Sequence, residues 1–285
     1  MSTVLAIDIG GTKLAAGLVD DRGALLARAQ RPTPRGEGAE AILTAVLDLA
    51  AEVRTGDEVA CGVGCGGPMT PGGAAVSPLN IEDWRGFPLR DRLGDALGLP
   101  VHVDNDAKAL ALGEGWVGAA AGVRDFIAMV VSTGVGGGIV LEGRLLHGAA
   151  GNAGHIGHVV VEPEGRPCAC GARGCLEAEA SGTAIAARTG RPAAEAGAAE
   201  RERAGRLVGR AVGSIANLLD LRLAVVAGSV ALGFGAPFFA AAQDELDRVA
   251  RLEFSRGTRI APAGLGDAGP LVGAAAVAWV ALGRR

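Results

Sequence analysis

Short apolar runs and longer stretches with a helical period alternate along the whole chain. Residues 3–8 form an apolar run that ends on an acid, and residues 14–19 form a second one beyond a glycine pair. In residues 39–54 the apolar positions instead recur every three or four residues, which is typical of a helix with one buried face. This alternation predicts an α/β fold with largely parallel central strands. Further strands are predicted at residues 24–29, 58–64, 101–104, 126–132, 138–142, 224–227 and 258–261, and further helices at 89–97, 106–116, 181–189, 199–219, 237–252 and 271–282.

Two glycine-rich turns indicate how the chain is divided. Each lies between two predicted strands, the first at residues 10–12 and the second at residues 133–137. Strands joined across a short glycine turn form a hairpin, and two similar hairpins indicate two related lobes that face one cleft. A chain of 285 residues is also long enough for two domains. We therefore expect a first lobe of residues 1–107, completed by the terminal helix at 271–285, and a second lobe of residues 108–270.

Charge and cysteine content exclude several classes of protein. The 27 Lys and Arg against 31 Asp and Glu give a net charge of -4, and no dense basic run suggests a nucleic-acid partner. The densest charged run, at residues 200–210, alternates in sign and is typical of a solvated helix face. The uncharged run at 223–242 contains Gly and Pro that divide it into shorter elements, so we expect no membrane span there. The lack of a recognisable signal peptide and of a disulfide-like cysteine pattern favours a cytoplasmic protein.

The first glycine turn has the residue types of a phosphate site. Backbone N–H groups at a bare glycine turn can point at phosphate oxygens, and the Thr12 hydroxyl and Lys13 ammonium can add donors. The spacing is not that of a Walker A loop, and a strand rather than a helix follows, which excludes a dinucleotide fingerprint. Taken alone, an ordinary hairpin turn is the simpler interpretation.

A histidine and three cysteines have the pattern of a structural zinc site. His158 precedes Cys168 by ten residues, Cys170 and Cys175 follow, and two glycines lie between Cys170 and Cys175. Three thiolates and one imidazole complete a tetrahedral zinc centre with no open position, so its role is architectural. The alternative is three reduced cysteines in a loop. Glu177 lies two residues after Cys175, the last candidate zinc ligand. Its carboxylate can face a molecule bound beside this loop, and it can also stabilise a helix N-terminus.

A carboxylate pair at the end of a predicted strand is the candidate catalytic centre. Phosphoryl transfer to a hydroxyl needs one base that receives the hydroxyl proton, and α/β sheets place ligands at the carboxyl ends of their strands. Asp104 and Asp106 both lie there, and the residue types alone do not separate them. A plain helix N-cap is the alternative role for Asp106.

These motifs together resemble the ROK family of sugar kinases and repressors, in order from Leu5 to the segment at residues 267–275. The resemblance implies two actin-like, ribonuclease H-like ATPase lobes around a central cleft with a zinc-binding loop, MgATP as the phosphoryl donor, and a homodimer. It implies that Asp106 is the base, that Asp8 contacts hydrated Mg²⁺, and that the zinc loop spans residues 158–177. Its ATP-binding positions correspond to Asp8, Gly10, Gly11, Thr12, Lys13, Thr133, Gly134 and Gly228, and its sugar-binding positions to Gly66, Gly67, Asn80, Asn105, Asp106, His155, His158 and Glu177.

The choice of sugar depends on one position in residues 151–158. ROK glucokinases have Glu where this chain has His155, and a carboxylate accepts hydrogen bonds only. A neutral imidazole can donate to one group and accept from another, so it suits an amide carbonyl. This segment resembles that of bacterial N-acetylmannosamine kinases, which implies the conversion of N-acetylmannosamine to its 6-phosphate. The alternative is a glucokinase in which one contact has changed.

Two further expectations follow from the resemblance. Lys108 stands where relatives have an uncharged polar residue or Ala, and we expect it to be solvent-exposed on its helix. ROK repressors carry a DNA-binding domain ahead of the first glycine hairpin, whereas Asp8 is near the start of this sequence. A kinase is therefore favoured over a repressor or a catalytically inactive sugar-binding module.

Overall fold

The computed structural model describes residues 2–284 and divides into two compact units. The first contains the chain up to Gly118, the segment His147–Ala153, and the chain from Leu265 onward. The second contains Ala119–Leu146 and Gly154–Gly264. The boundary predicted at 107/108 falls inside a helix that packs within the first unit, on the C-terminal helix.

The first unit is a five-stranded mixed sheet between two helical layers. Strands are in the order β3-β2-β1-β4-β5, with β1, β4 and β5 parallel and β1, β2 and β3 antiparallel. One face packs on α1 and α2 through a core that includes Ile7, Val46 and Leu93. The other face packs on α9, which also contacts α3. Its elements are β1 Thr3–Ile9, β2 Lys13–Asp20, β3 Leu25–Pro32, α1 Ala39–Val53, β4 Glu58–Cys65, α2 Leu89–Leu97, β5 Val101–Asn105, α3 Asp106–Val117 and α9 Gly269–Ala281.

The second unit repeats this topology. Its sheet order is β10-β9-β6-β7-β8, in which β6, β9 and β10 are parallel and β6, β7 and β8 are antiparallel. The repetition confirms the predicted α/β class and the relationship between the two halves. Its elements are β6 Phe126–Val131, β7 Val135–Leu141, β8 Arg144–Leu145, α4 Leu176–Ala180, α5 Gly182–Thr189, α6 Ala198–Leu219, β9 Leu223–Ala227, α7 Ser229–Phe234, α8 Ala236–Val249 and β10 Arg259–Pro262.

Small residues on α6 determine how closely its partner helix packs. Gly205, Gly209 and Gly213 recur at four-residue intervals, so they lie on one face of the helix. That face meets the backbone of Phe238 and Ala242 in α8, and a methyl group added at Gly205 would lie 3.0 Å from the Phe238 carbonyl carbon. These three glycines therefore allow the close approach of α6 and α8.

Several expectations from the sequence need correction in the second unit. The strand predicted to begin at residue 138 begins at Val135, and β8, α4 and α7 were not predicted. The charged run at 200–210 is not simply a solvated face, because Arg203 pairs with the buried Glu179 at 2.6 Å. The uncharged run at 223–242 forms β9, α7 and the start of α8. In the part of the chain that the structure describes, no helix has the length and apolarity needed to span a bilayer.

Candidate active site

The first glycine turn connects β1 to β2 and packs against a candidate sugar residue. The Gly10 amide donates to the Lys13 carbonyl at 3.0 Å, which closes the turn. A methyl group added at Gly11 would lie 2.5 Å from the Asn80 Cβ and 2.6 Å from its carbonyl oxygen. Glycine is therefore needed at position 11 because the Asn80 segment approaches so closely. The structure thus brings together the predicted phosphate turn and one predicted sugar residue.

Two residues missed by the sequence reasoning hold the carbonyl groups of this turn. The Thr33 hydroxyl donates to the Gly10 carbonyl at 2.6 Å. The Arg35 guanidinium donates to the Gly11 carbonyl at 2.9 and 2.6 Å and to the Thr12 hydroxyl oxygen at 3.1 Å. Both follow β3, some twenty residues along the chain, so no local pattern in the sequence identifies them. They fix the orientation of the turn while the Thr12 side chain stays exposed.

Asp8 and Asp106 face one another across β4. A methyl group added at Gly64 would lie 3.7 Å from the Asp8 Oδ1 and 3.6 Å from the Asp106 Cα. Burial, and next the negative charge of Asp106, raise the pKa of Asp8 to about 7, and Lys13 partly opposes this. Two carboxyl groups that disfavour each other's ionisation fit a divalent cation or its water shell, because positive charge between them restores both carboxylates. The residues present therefore fit Mg²⁺.

Asn105 and Asp106 have different roles at the start of α3. Asn105 is the N-cap, and its side-chain oxygen accepts from the Ala107 amide at 3.1 Å. Asp106 is the first residue of the helix, is exposed, and also accepts from Ala107, at 2.8 Å. Since Asn105 already caps the helix, capping does not by itself account for a carboxylate at position 106.

The glycine pair after β4 lies beside this helix start. A methyl group added at Gly67 would lie 3.4 Å from the Asn105 side-chain nitrogen. The Gly67 carbonyl accepts from the Leu79 amide at 3.2 Å, next to Asn80 in sequence. Gly66 packs similarly on Pro78. Within the first unit, the predicted sugar residues Gly66, Gly67, Asn80 and Asn105 therefore form one group of neighbours.

The expectation that Lys108 is solvent-exposed is wrong. Its side chain is buried, and its ammonium nitrogen lies 2.8 Å from the Gly151 carbonyl and 3.4 Å from both Asp104 Oδ1 and His147 Nδ1. Its helix position faces a loop distant in sequence, which the local pattern does not reveal. Asp104, which the resemblance left without a role, is thereby the acidic partner of a buried cation.

The second glycine turn is shorter than predicted. The Ser132 amide donates to the Gly134 carbonyl at 2.9 Å, and Val135 already belongs to β7. Gly136 and Gly137 therefore lie in the strand, where they pair with Val130 and Met129. At Gly137 another backbone packs closely: a methyl group added there would lie 3.0 Å from the Gly154 carbonyl oxygen.

Three polar residues, Ser132, Thr183 and Ser229, surround this turn. The Thr183 hydroxyl, at the start of α5, donates to the Thr133 carbonyl at 2.9 Å. The hydroxyls of Ser132 and Ser229 lie 2.9 Å apart. Gly228 precedes Ser229 and has a φ of 99°, and a methyl group added there would lie 2.8 Å from the Val131 amide nitrogen. The structure thus gathers the predicted nucleotide residues Thr133, Gly134 and Gly228 at one end of the second sheet.

Glu177 is bonded to the second glycine turn. Its Oε2 accepts from the Val135 amide at 2.9 Å, and a methyl group added at Gly134 would lie 2.8 Å from the same oxygen. Glu177 lies in the first turn of α4, directly after the zinc-type cluster. A carboxylate expected to bind sugar thus also contacts a phosphate turn, which its position in the sequence does not indicate.

The four predicted zinc ligands converge in the second unit. The His158 Nδ1 lies 3.7 Å from Cys168 Sγ, the Cys170 and Cys175 sulfurs are 3.7 Å apart, and all four ligand atoms lie within 4.8 Å of one another. A tetrahedral zinc with bonds of about 2.3 Å to sulfur separates its ligand atoms by about 3.8 Å. The donor set and its spacing therefore fit a closed zinc site.

Burial and hydrogen bonding separate the thiols of this cluster. Burial, with hydrogen bonds that the Cys175 thiol donates to Cys168 and Cys170, raises the pKa of this thiol to about 12. The exposed Cys170 accepts a hydrogen bond from the Ala172 backbone, which lowers the pKa of its thiol. A zinc ion would favour the thiolate form of all three cysteines. The Cys168 amide donates to the Ala172 carbonyl at 2.8 Å, and this bond closes the loop that carries the cysteines.

The two candidate sugar histidines are stacked. The rings of His155 and His158 have centroids 6.2 Å apart and an interplanar angle of 18°, and the His155 side chain is exposed. The His158 Nδ1 faces the cysteines, so its Nε2 lies on the side of the ring away from the cluster. A methyl group added at Gly157, between them, would lie 3.2 Å from the Val135 carbonyl carbon, so β7 fixes the backbone that carries both rings.

Comparison with known proteins places this architecture in one family. The model of the ROK family matches residues 4–280. The chain belongs to the ROK family. It is 40% identical over 250 residues to the N-acetylmannosamine kinase of Citrobacter koseri, covering 82% of this chain and 86% of that protein. It is 42% identical over 185 residues to the glucokinase of Thermotoga maritima, covering 64% of this chain and 58% of that protein.

A solved ROK structure confirms the fold. The ROK family glucokinase from Streptomyces griseus, solved in complex with glucose and AMPPNP, matches with a TM-score of 0.83 and 33% identity over 96% of this chain and 98% of that one. The predicted fold class is therefore confirmed. These relatives identify the chain as a ROK sugar kinase and leave its sugar open, since N-acetylmannosamine kinase and glucokinase are similar to it at about the same identity.

Proposed function

We propose that this protein transfers the γ-phosphoryl group of MgATP to the 6-hydroxyl of a hexose, with N-acetylmannosamine as its preferred acceptor. The relative that aligns over most of both chains is an N-acetylmannosamine kinase, whereas the Thermotoga glucokinase aligns over 58% of its own length. The residue that decides the proposal is His155, which replaces the glucokinase glutamate.

The reacting groups belong to the first unit. Asp106 is exposed at the start of α3, where its carboxylate can accept the proton of the sugar hydroxyl, and Asn105 fixes that start by capping it. The nucleotide's metal ion would neutralise charge on the phosphates during transfer. Asp8, whose pKa is raised by burial and by Asp106, would regain its negative charge beside that cation.

The proposed nucleotide residues come from both units. Gly10, Gly11, Thr12 and Lys13 of the first turn, and Thr133 and Gly134 of the second turn with the adjacent Gly228, would hold the nucleotide.

A structural zinc bound by His158 and the three cysteines would fix the loop that carries Glu177. We also propose a homodimer, as the family resemblance implies. Zinc content per chain by plasma emission spectrometry and mass by light scattering test these two points.

His155 is the specificity residue in this proposal. Its ring stacks on His158 and is exposed, so it can meet a sugar substituent. A neutral imidazole nitrogen that carries hydrogen can donate to the carbonyl oxygen of an N-acetyl group, which a carboxylate cannot do. Gly66, Gly67, Asn80, Asn105, His158 and Glu177 would bind the other hydroxyls.

The test is a comparison of acceptors. We expect kcat/KM with MgATP to be highest for N-acetylmannosamine among N-acetylmannosamine, glucose, fructose and N-acetylglucosamine. The matched variant His155→Glu should shift the preference toward glucose by about tenfold or more, since a site that no longer donates to an amide loses its selectivity. A wild-type preference for glucose would instead establish the second candidate, a ROK glucokinase. Lack of ATP turnover with every sugar would contradict kinase activity itself.

A further inference from the structure

Lys108 is unusual because lysine is rare in this sequence and because its charged side chain is buried. Only two of the 27 Lys and Arg residues in the sequence are lysines, Lys13 in the first glycine turn and Lys108 in α3. The Lys108 side chain is 1% exposed. A buried ammonium group is costly unless it is paired and hydrogen-bonded, so its retention needs a reason that a solvent-exposed helix position would not supply.

Three polar atoms match the three donors of this ammonium group. The Gly151 carbonyl accepts at 2.8 Å, and Asp104 Oδ1 and His147 Nδ1 each lie at 3.4 Å. Because an ammonium nitrogen only donates, it can bond to His147 Nδ1 in the tautomer that carries the ring hydrogen on Nε2. Asp104 also accepts from the Asn105 amide at 2.8 Å. One cation therefore links the end of β5 with the loop at residues 147–153.

That loop has few apolar side chains. Residues 148–153 are Gly, Ala, Ala, Gly, Asn and Ala, which offer hardly any apolar side chain to bury. The Ala153 amide donates to the His147 carbonyl at 2.9 Å, so the loop is closed on itself. Lys108 contacts the loop at its first residue, His147, and again at Gly151. Two residues after Ala153, the chain reaches His155.

We propose that Lys108 is a positioning residue for sugar recognition. Its ammonium group fixes residues 147–153 against the strand end that carries Asn105 and Asp106, so that the chain enters the His155 segment in a single conformation. Lysine fits here because its three hydrogens leave one nitrogen in different directions and can each meet an acceptor, whereas the donors of a guanidinium group lie in one plane. This inference rests on the proposed sugar kinase function.

The test compares Lys108→Met with a matched control. Methionine keeps the length of the side chain and removes its donors. Arg54→Met removes another i,i+4 ion pair of the first unit, with the buried Glu58 at 3.2 Å, at the opposite end of the sheet. We expect Lys108→Met to raise KM for the sugar about tenfold, the effect of losing a hydrogen bond to a charged group, while KM for ATP changes less than about twofold. Arg54→Met should lower Tm and leave both KM values unchanged.

Hydrogen exchange gives a readout independent of turnover. In Lys108→Met the Ala153 amide should exchange about tenfold faster or more, because its loop opens locally. If Lys108→Met does not fold, the double variant Asp104→Asn/Lys108→Met removes both charges and should show the same two changes. A folded variant with wild-type sugar KM and wild-type exchange would overturn the inference, as would an equal rise in both KM values without faster exchange. Absence of sugar turnover in the wild type would defeat the proposed function instead, and the exchange measurement would still decide whether Lys108 fixes the loop.

Discussion

The two glycine turns occupy equivalent places in the two sheets but are held by opposite chemistry. In the first turn, donors hold the backbone carbonyls: Thr33 bonds to Gly10, and Arg35 bonds to Gly11. In the second turn, a carboxylate, Glu177, holds a backbone amide. The first arrangement fixes the turn through its carbonyl groups, whereas the second fixes it through the Val135 amide, which donates to a carboxylate.

This difference shows that a repeated topology does not imply repeated function. Arg35 adds positive charge to the first turn, which favours phosphate there. Glu177 connects the second turn to α4 and so to the cysteine cluster that precedes it. The second turn should therefore respond to changes in the zinc loop, and the first should not. Each of the following experiments tests a part of this contrast, in order of decreasing effect.

The largest effect is expected on kcat, from a change in the first unit at the proposed catalytic carboxylate. Asp106→Asn should lower kcat by about 10²–10⁴, because the sugar hydroxyl loses its proton acceptor. The asparagine oxygen can still accept from the Ala107 amide, so Tm should change little. Asp91→Asn, which changes another acid in the first turn of a helix, is the control and should keep wild-type kcat. Near-wild-type turnover in Asp106→Asn would remove this residue from the mechanism.

Variants of Glu177 test whether its carboxylate binds sugar or fixes the backbone of the second glycine turn. Glu177→Ala should raise KM for ATP about tenfold, since the charge-assisted bond to Val135 is lost. Glu177→Gln retains an oxygen that can accept from Val135, so its KM for ATP should stay within about threefold of the wild type. Steady-state kinetics with each substrate varied in turn measures both effects. If both variants alter only the sugar KM, the contact with Val135 has no role in nucleotide binding.

Arg35 provides the corresponding test of the first turn. Arg35→Ala should raise KM for ATP about three- to fivefold and leave the sugar KM unchanged, a modest effect because the side chain is exposed. Arg28→Ala, which removes an exposed arginine from β3, should change neither constant. An Arg35→Ala enzyme whose ATP KM matches that of the control would mean that the turn keeps its shape without the guanidinium.

The smallest expected effect is on stability, through Asp8. Burial and Asp106 raise its pKa in the folded state to about 7, against 3.8 in the unfolded chain. The folded protein therefore binds more protons between these values, and its stability falls as pH rises through that range. Without nucleotide, Asp8→Asn should be more stable than the wild type at pH 8, by about 1 kcal/mol or more, and equal to it near pH 4.

Urea denaturation at both pH values measures this difference. Asp48→Asn changes an exposed carboxylate and is the control, with little dependence on pH expected. An advantage of Asp8→Asn that stays constant from pH 4 to pH 8 would show that Asp8 is ionised throughout, contrary to its placement beside Asp106.

Local patterns in the sequence predicted most strands, most helices and the metal cluster. The cluster was predictable because its ligands lie within 18 residues and few other chemistries use that donor set. The contacts of Arg35 and Lys108 and the bond between Glu177 and Val135 were not predictable, because each joins segments distant in sequence. Gly136 and Gly137 were predicted as a turn because glycine marks turns, whereas both lie in β7 and Gly137 makes room for residues 154–156.

The close fit of that loop on β7 has a consequence for engineering and for evolution. Gly137, Gly154 and Gly157 bring the two backbones close together, so β7 fixes the path of the chain from Gly154 to Gly157, whereas Lys108 is proposed to fix the loop that precedes it. The exposed residue can then be exchanged without rebuilding the segment that presents it. Libraries that vary position 155 on an unaltered glycine framework should yield folded enzymes far more often than libraries that graft whole loops.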